Sequence, residues 1–185
     1  MLNQRIKSLE PPYSERIQEL FSIVMPQGMA PLNIFRAVGN NERVLSRMVR
    51  GALLDKGSIS LAQRELVILR TCAICKAEYE WGVHVAGFAA KAGFTPEQIS
   101  DTCSDTLNTD IWSSEQRLLM QLVDEFNQTA TLSDEVWVKL REKFSEEQLI
   151  EVVMVAGLYH AVSFVVNGLR IEHEKFAPSF PKNEI

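Results

Sequence analysis

Helix-start signals recur along this chain too often for a sheet protein. Ser60 precedes Gln63 by the spacing of a reciprocal capping box, and Thr95-Pro96-Glu97-Gln98 combines a cap, a proline at the first helical position and a glutamine at the third. Further helix starts fall at Ser113, Ser133 and Ser145. Between these points apolar residues recur at helical spacing, and no segment sustains the period-two alternation of a half-buried strand. The expected fold class is all-α.

Prolines and glycines divide the chain. Residues 1–32 contain Pro11-Pro12, Pro26, Gly28 and Pro31, and read as an N-terminal arm with one short helix near 14–24. Helical pieces follow over 33–38 and 42–54, separated by Gly39-Asn40-Asn41, and Asp55-Lys56-Gly57 stops the second. The helix capped by Ser60 is expected to run to about Ile74, and the next from Ala77 to Ala92, ending at Gly93. The apolar segment from Glu146 to about Leu169 reads as a central helix. Residues 33–176 then form one helical domain, and 177–185, with two prolines, an extended tail.

Composition narrows the function classes. A chain of 185 residues is long enough for one full core. Its net charge of -5 argues against sequence-independent affinity for nucleic acid. The longest apolar candidate, 152–166, is short for a bilayer span, and no stretch resembles a secretory leader, so a cytoplasmic protein without a membrane partner is expected. Three cysteines do not make a secreted disulfide scaffold.

The chemistry gathers around Glu65-Leu-Val-Ile-Leu-Arg70 and Ala77-Glu-Tyr-Glu-Trp-Gly-Val-His84. Glu80 and His84, four residues apart, share a helix face, and Trp81 is a neighbour of His84 at three. An imidazole with an ordinary pKa of about 6.5 both gives and accepts protons near neutrality. A tight hairpin would bring Glu65 to an imidazole nitrogen, fixing the tautomer and favouring imidazolium. His84, Glu65 and Glu80 are therefore the catalytic candidates. Tyr79 and Trp81 are candidates for the pocket wall, His160 for a further pocket residue, and Arg70, beside Arg64 or Arg47, for binding a substrate carboxylate. The plainer readings are solvated acids for the two glutamates, packing for the aromatics and structural roles for the histidines. Cys72-Ala-Ile-Cys75 is the alternative redox pair, or half of a zinc site. No second cysteine pair follows it, and the acid/base scheme needs neither metal nor organic cofactor.

Residues 65–93 resemble the carboxymuconolactone decarboxylase family, which includes the alkylhydroperoxidase D-like (AhpD-like) proteins. The recognisable element is a helical glutamate, a C-x-x-C pair whose first cysteine stands twelve residues later, and a histidine four residues after the second. Counted from Glu65, the cysteine positions hold Ala77 and Glu80, and the histidine is His84. The resemblance implies an AhpD-like helical bundle and a homo-oligomer, trimeric or hexameric. It also implies acid/base lyase or decarboxylase chemistry on a small organic acid or lactone. In the peroxidase branch the cysteine pair reduces hydroperoxide while the glutamate and histidine relay protons. Here Cys72 and Cys75 stand five residues upstream of the required positions. A peroxidase-related thiol oxidoreductase is thus the second reading, and a noncatalytic oligomer that binds a small ligand the third.

Overall fold

The structure, a computed structural model, describes residues 4–181, so 1–3 of the arm and 182–185 of the tail lie outside the described residues. Among those described there are helices and no strand. In chain order the helices are α1 (Glu15–Val24), α2 (Asn33–Val38), α3 (Glu42–Arg50), α4 (Leu61–Ile74), α5 (Glu78–His84), α6 (Ala90–Ala92), α7 (Pro96–Asp101), α8 (Ser114–Thr129), α9 (Asp134–Lys143) and α10 (Glu146–Leu169). A π-helical turn, Val85–Ala89, joins α5 to α6, and a short 3-10 turn, Thr109–Ile111, precedes α8.

Helix α4 is the axis of the bundle. Every residue from Arg64 to Ala73 is buried, with α8 and α10 packed along it and α5 folded back against it. A helix enclosed on all sides has no solvent face, so its polar members Arg64, Glu65, Arg70 and Thr71 need partners inside the protein. Its start is held by the Ser60–Gln63 capping box, and the Thr95–Gln98 box starts α7. The arm belongs to the same core, because Ile17, Leu20 and Phe21 of α1 are buried with it.

Three elements differ from their sequence expectation. Helix α3 stops at Arg50, before Gly51, and Leu53 takes a left-handed φ of 52°, so Leu54 lies outside the helix. The helix expected over 77–92 is interrupted by the π turn, which inserts wider backbone geometry between His84 and Ala90. Helix α10 is not enclosed: Val152, Val155, Tyr159 and Val166 are buried, while Ile150, Met154 and Phe164 are more than half exposed. The apolar sequence of α10 has two faces with different surroundings, which composition alone does not distinguish. With 24 residues and a mean hydropathy of 2.0 over its most apolar window, α10 is also long and apolar enough to cross a membrane, contrary to the shorter span read from sequence.

The tail crosses α5. The Phe180 backbone N–H donates to Glu78 Oε1 at 2.8 Å, and the Phe180 ring meets Trp81 edge-on with centroids 5.3 Å apart. Gly82 lies directly beneath, where a Cβ would collide with the Pro178 carbonyl oxygen. Gly82→Ala should therefore lower stability by about 1–3 kcal/mol through displacement of the tail. Urea unfolding checks this, and an unchanged midpoint would show that the tail does not press on α5.

Candidate active site

The hairpin between α4 and α5 builds the site. Helix α4 ends in a Schellman motif, with Ala77 N–H donating to Cys72 O at 2.8 Å and Lys76 N–H to Ala73 O at 3.0 Å. Lys76 takes the left-handed conformation the motif requires, with φ 55°. The chain reverses there, and Glu65, ten residues before Cys75, comes level with His84, nine residues after it. At about 1.5 Å of rise per residue the two stand at similar distances from the turn.

Glu65 Oε2 and His84 Nδ1 are 2.7 Å apart, and both side chains are buried. On the other side of the ring, Nε2 is 3.5 Å from Glu80 Oε1. The remaining Glu65 oxygen, Oε1, accepts from Arg64, whose Nε and Nη2 are each 3.0 Å away. Arg64 is anchored in turn by Nη1, which donates to Leu54 O at 2.7 Å. Burial by itself pulls the His84 pKa down, but hydrogen bonds and charge from Glu65 and Glu80 outweigh it and raise the value to about 9. His84 is then an imidazolium at neutral pH, and two cations and two carboxylates balance in one buried row.

The row borders a largely apolar cavity of about 320 Å³, lined by Glu80, His84, Phe88 and Tyr159 among others. Met25 and Met29 of the arm, Phe35 of α2 and Phe176, just before the tail, also line it. Tyr159 meets the imidazole edge-on at 5.0 Å, and Phe88 lies 5.3 Å from it. Burial raises the Tyr159 pKa, so its hydroxyl stays protonated as a donor. Lys91 is the one lysine or arginine in the cavity wall among the described residues. Glu80 Oε2 is buried and has no hydrogen-bond partner among the described residues.

The other candidates lie elsewhere. Arg70 does not line this cavity: its Nε and Nη2 hold Asp124 at 2.8 and 3.1 Å, and Nη1 donates to the carbonyls of Thr102 and Ser104. Its guanidinium ties α4 to α8 and to the loop after α7. Trp81 is a packing residue whose Nε1 donates to Thr102 Oγ1 at 3.0 Å. The Tyr79 hydroxyl donates to Glu174 Oε1 at 2.7 Å and accepts from Ile34 N, pinning the segment after α10. His160 borders a different cavity, together with Cys75 and Thr71. Adjacent residues of a helix point about 100° apart, so Tyr159 faces His84 and His160 does not.

Cys72 is fully enclosed, and its thiol pKa is raised well above the ordinary value by burial and then by Glu80. Burial also raises Cys75. Among the described residues no group of three or more His, Cys, Asp and Glu side chains is arranged to hold a metal ion. Sequence reasoning missed Phe88 and Lys91, although they continue the Glu80–His84 face at helical spacing. Tyr159 carried no such signal, because α10 adjoins α5 only in the folded chain.

Residues 42–123 match the carboxymuconolactone decarboxylase family. No curated protein matches the chain. Among solved structures, an uncharacterized peroxidase-related protein from Ralstonia eutropha JMP134, described as an alkylhydroperoxidase AhpD core, has a TM-score of 0.81 at 15% identity, covering 93% of each chain. A peroxidase-related protein from Silicibacter sp. TM1040 has a TM-score of 0.77 at 17% identity, covering 93% of this chain and 92% of that one. The debrominase Bmp8, in complex with 2,3,4-tribromopyrrole, has a TM-score of 0.75 at 15% identity, covering 95% and 94%. Residues 42–123 are thus similar to the carboxymuconolactone decarboxylase family, and the fold is that of the AhpD-like proteins. Where the resemblance places a cysteine pair the chain has Ala77 and Glu80, and where it places a glutamate and a histidine the chain has Glu65 and His84.

The raised His84 pKa has a consequence for stability. Protonated His84 favours the folded state, so its contribution is whole below the unfolded pKa of about 6.5 and is lost as pH rises through about 9. Stability should fall by about 3 kcal/mol across that interval. The decline should flatten in His84→Gln, as urea unfolding from pH 6 to 10 will show. Equal slopes in the two proteins would contradict the charged pair.

Proposed function

We propose that the chain is a cofactor-independent acid/base lyase or decarboxylase acting on a small, largely apolar lactone or organic acid. The observation that carries this reading is the buried Arg64–Glu65–His84–Glu80 row at the wall of a cavity sized for a small molecule. With its pKa raised to about 9, His84 enters the reaction carrying a proton, which makes it the general acid. Glu65 orients the ring and keeps its charge compensated, and Arg64 holds Glu65 in place. Lys91 is the group to pair with a substrate carboxylate. Glu80 Oε2, which lacks a partner among the described residues, suits a substrate O–H.

In the decarboxylase form of the scheme, the bond between the substrate skeleton and its carboxylate breaks and CO₂ leaves. The electron pair passes into the conjugated lactone, His84 delivers its proton to the resulting carbanion or enolate, and solvent reprotonates the imidazole. No electrons are gained or lost overall. The thiol reading has less support, because Cys72 and Cys75 do not line this cavity and burial disfavours both thiolates.

Turnover of a panel of small lactones and unsaturated acids should fall about 10²–10⁴-fold in His84→Ala and persist in the Cys72→Ser/Cys75→Ser double variant. Peroxide consumption that disappears in the double variant would transfer the function to the thiols. Saturable binding without turnover would make the chain a ligand-binding protein.

A further inference from the structure

The cavity beside the acid/base row has a buried polar end, an exposed polar end and an apolar middle. At the buried end Glu80 and His84 stand together, and Tyr159, edge-on to the imidazole, adds a hydroxyl that burial keeps protonated. Glu80 is only 8% exposed, and its Oε2 has no hydrogen-bond partner among the described residues. At the other end stands Lys91, which is exposed and holds its Nζ 5.7 Å from the centre of the Phe88 ring. Lys91 follows His84 by seven residues, about 10 Å along the helix axis.

Each end restricts what can bind. A carboxylate only accepts hydrogen bonds, so the group that satisfies Glu80 Oε2 has to donate one, and it has to be neutral, because a second anion beside Glu80 is repelled. A ligand without such a donor displaces water from that oxygen and strands it, which weakens binding by roughly tenfold or more. A phenolic hydroxyl meets both conditions, since with an ordinary pKa of about 10 it keeps its proton at neutrality. A plain fatty acid lacks the donor, and a dicarboxylate sets its second anion against Glu80. Lys91 at the mouth suits the one carboxylate that remains.

The middle of the cavity favours a ring. Gly87 lines it with bare backbone, and a Cβ there would meet nothing within 4 Å. Phe35, Phe88 and Phe176 present aromatic surfaces, and Met25, Met29 and Met48 present thioethers, which pack well against aromatic rings. A cavity of roughly 150 Å³ holds a benzene molecule. This one is about 320 Å³, room for a ring with a short side chain. We propose that the site takes hydroxyaryl carboxylic acids, with the phenolic hydroxyl between Glu80 Oε2 and Tyr159, the ring against Phe88 and Gly87, and the carboxylate at Lys91. This ligand class rests on the acid/base reading in setting the hydroxyl-bearing end beside His84, and the carboxylate at Lys91 is then a handle that stays on the molecule.

Calorimetric titration of the full chain at neutral pH with three probes tests this. Para-hydroxyphenylpropanoate should bind saturably, phenylpropanoate at least about tenfold more weakly, and para-ethylphenol about three- to tenfold more weakly. Lys91→Gln should erase the advantage of the hydroxy acid over para-ethylphenol and keep the preference for the hydroxyl. Gly87→Leu fills the middle of the cavity from a backbone that is not left-handed, and should abolish binding of all three probes with helical circular dichroism unchanged. Equal affinity for the hydroxyl-free acid, an unchanged ranking in Lys91→Gln, or a wild type that saturates with none of the probes at millimolar concentration overturns the ligand class. Turnover is read separately. Selective binding across a panel of hydroxyaryl acids, none of which is converted, upholds the class and sinks the acid/base reading, whereas His84-dependent turnover of a lactone that para-hydroxyphenylpropanoate does not inhibit does the reverse.

Discussion

A carboxylate and an imidazolium, both buried, govern this structure. Glu65 is wholly inside the protein, where a lone ionised group is far less stable than in water. Its two oxygens are satisfied from opposite sides, by Arg64 and by His84, and each partner is held by a further group: Leu54 O for Arg64, Glu80 for His84. Removing one member would leave another buried charge exposed to a low dielectric without compensation. The row therefore constrains the position of α4 against α5, the turn at Lys76, and the loop before α4 that brings Leu54 to the guanidinium.

That constraint also explains what replaces the cysteine pair. At the first expected cysteine position Ala77 is buried where the chain leaves the Schellman turn. At the second, Glu80 has moved a carboxylate next to the histidine, 3.5 Å from Nε2. An acid there does not transfer electrons, but it raises the proton affinity of His84. The position where the resemblance places a cysteine thus holds an acid that tunes the proton affinity of His84, while the cysteines the chain does possess lie earlier, with thiol pKa values raised by burial.

Much of this was legible in the sequence where the physics is local. The caps at Ser60, Thr95, Ser113, Ser133 and Ser145 mark helix starts because each side chain bonds backbone only three residues away. The Glu80–His84 pairing follows from helical spacing, and Glu65 follows from a hairpin of nearly equal arms. What escaped depends on contacts distant in sequence. Arg70 looked like a ligand for a substrate because its partners, Asp124 and the carbonyls of Thr102 and Ser104, come from other elements. Tyr159 and His160 are adjacent in sequence yet face different cavities, so their roles separate only when α10 is docked on α4 and α5. The π turn after His84 has no local signature in composition. The outer stripe of α10 was hidden by its inner one, since a helix apolar on both faces reads as enclosed.

His84, in the wall of the cavity, is held as an imidazolium by the carboxylates of Glu65 and Glu80. Its imidazole ¹⁵N resonances, followed by NMR from pH 5 to 10 in the folded chain, test this most directly. Both ring nitrogens should stay protonated through pH 8 and the ring should titrate near pH 9. A ring that loses its proton at or below its ordinary pKa of about 6.5 would contradict it.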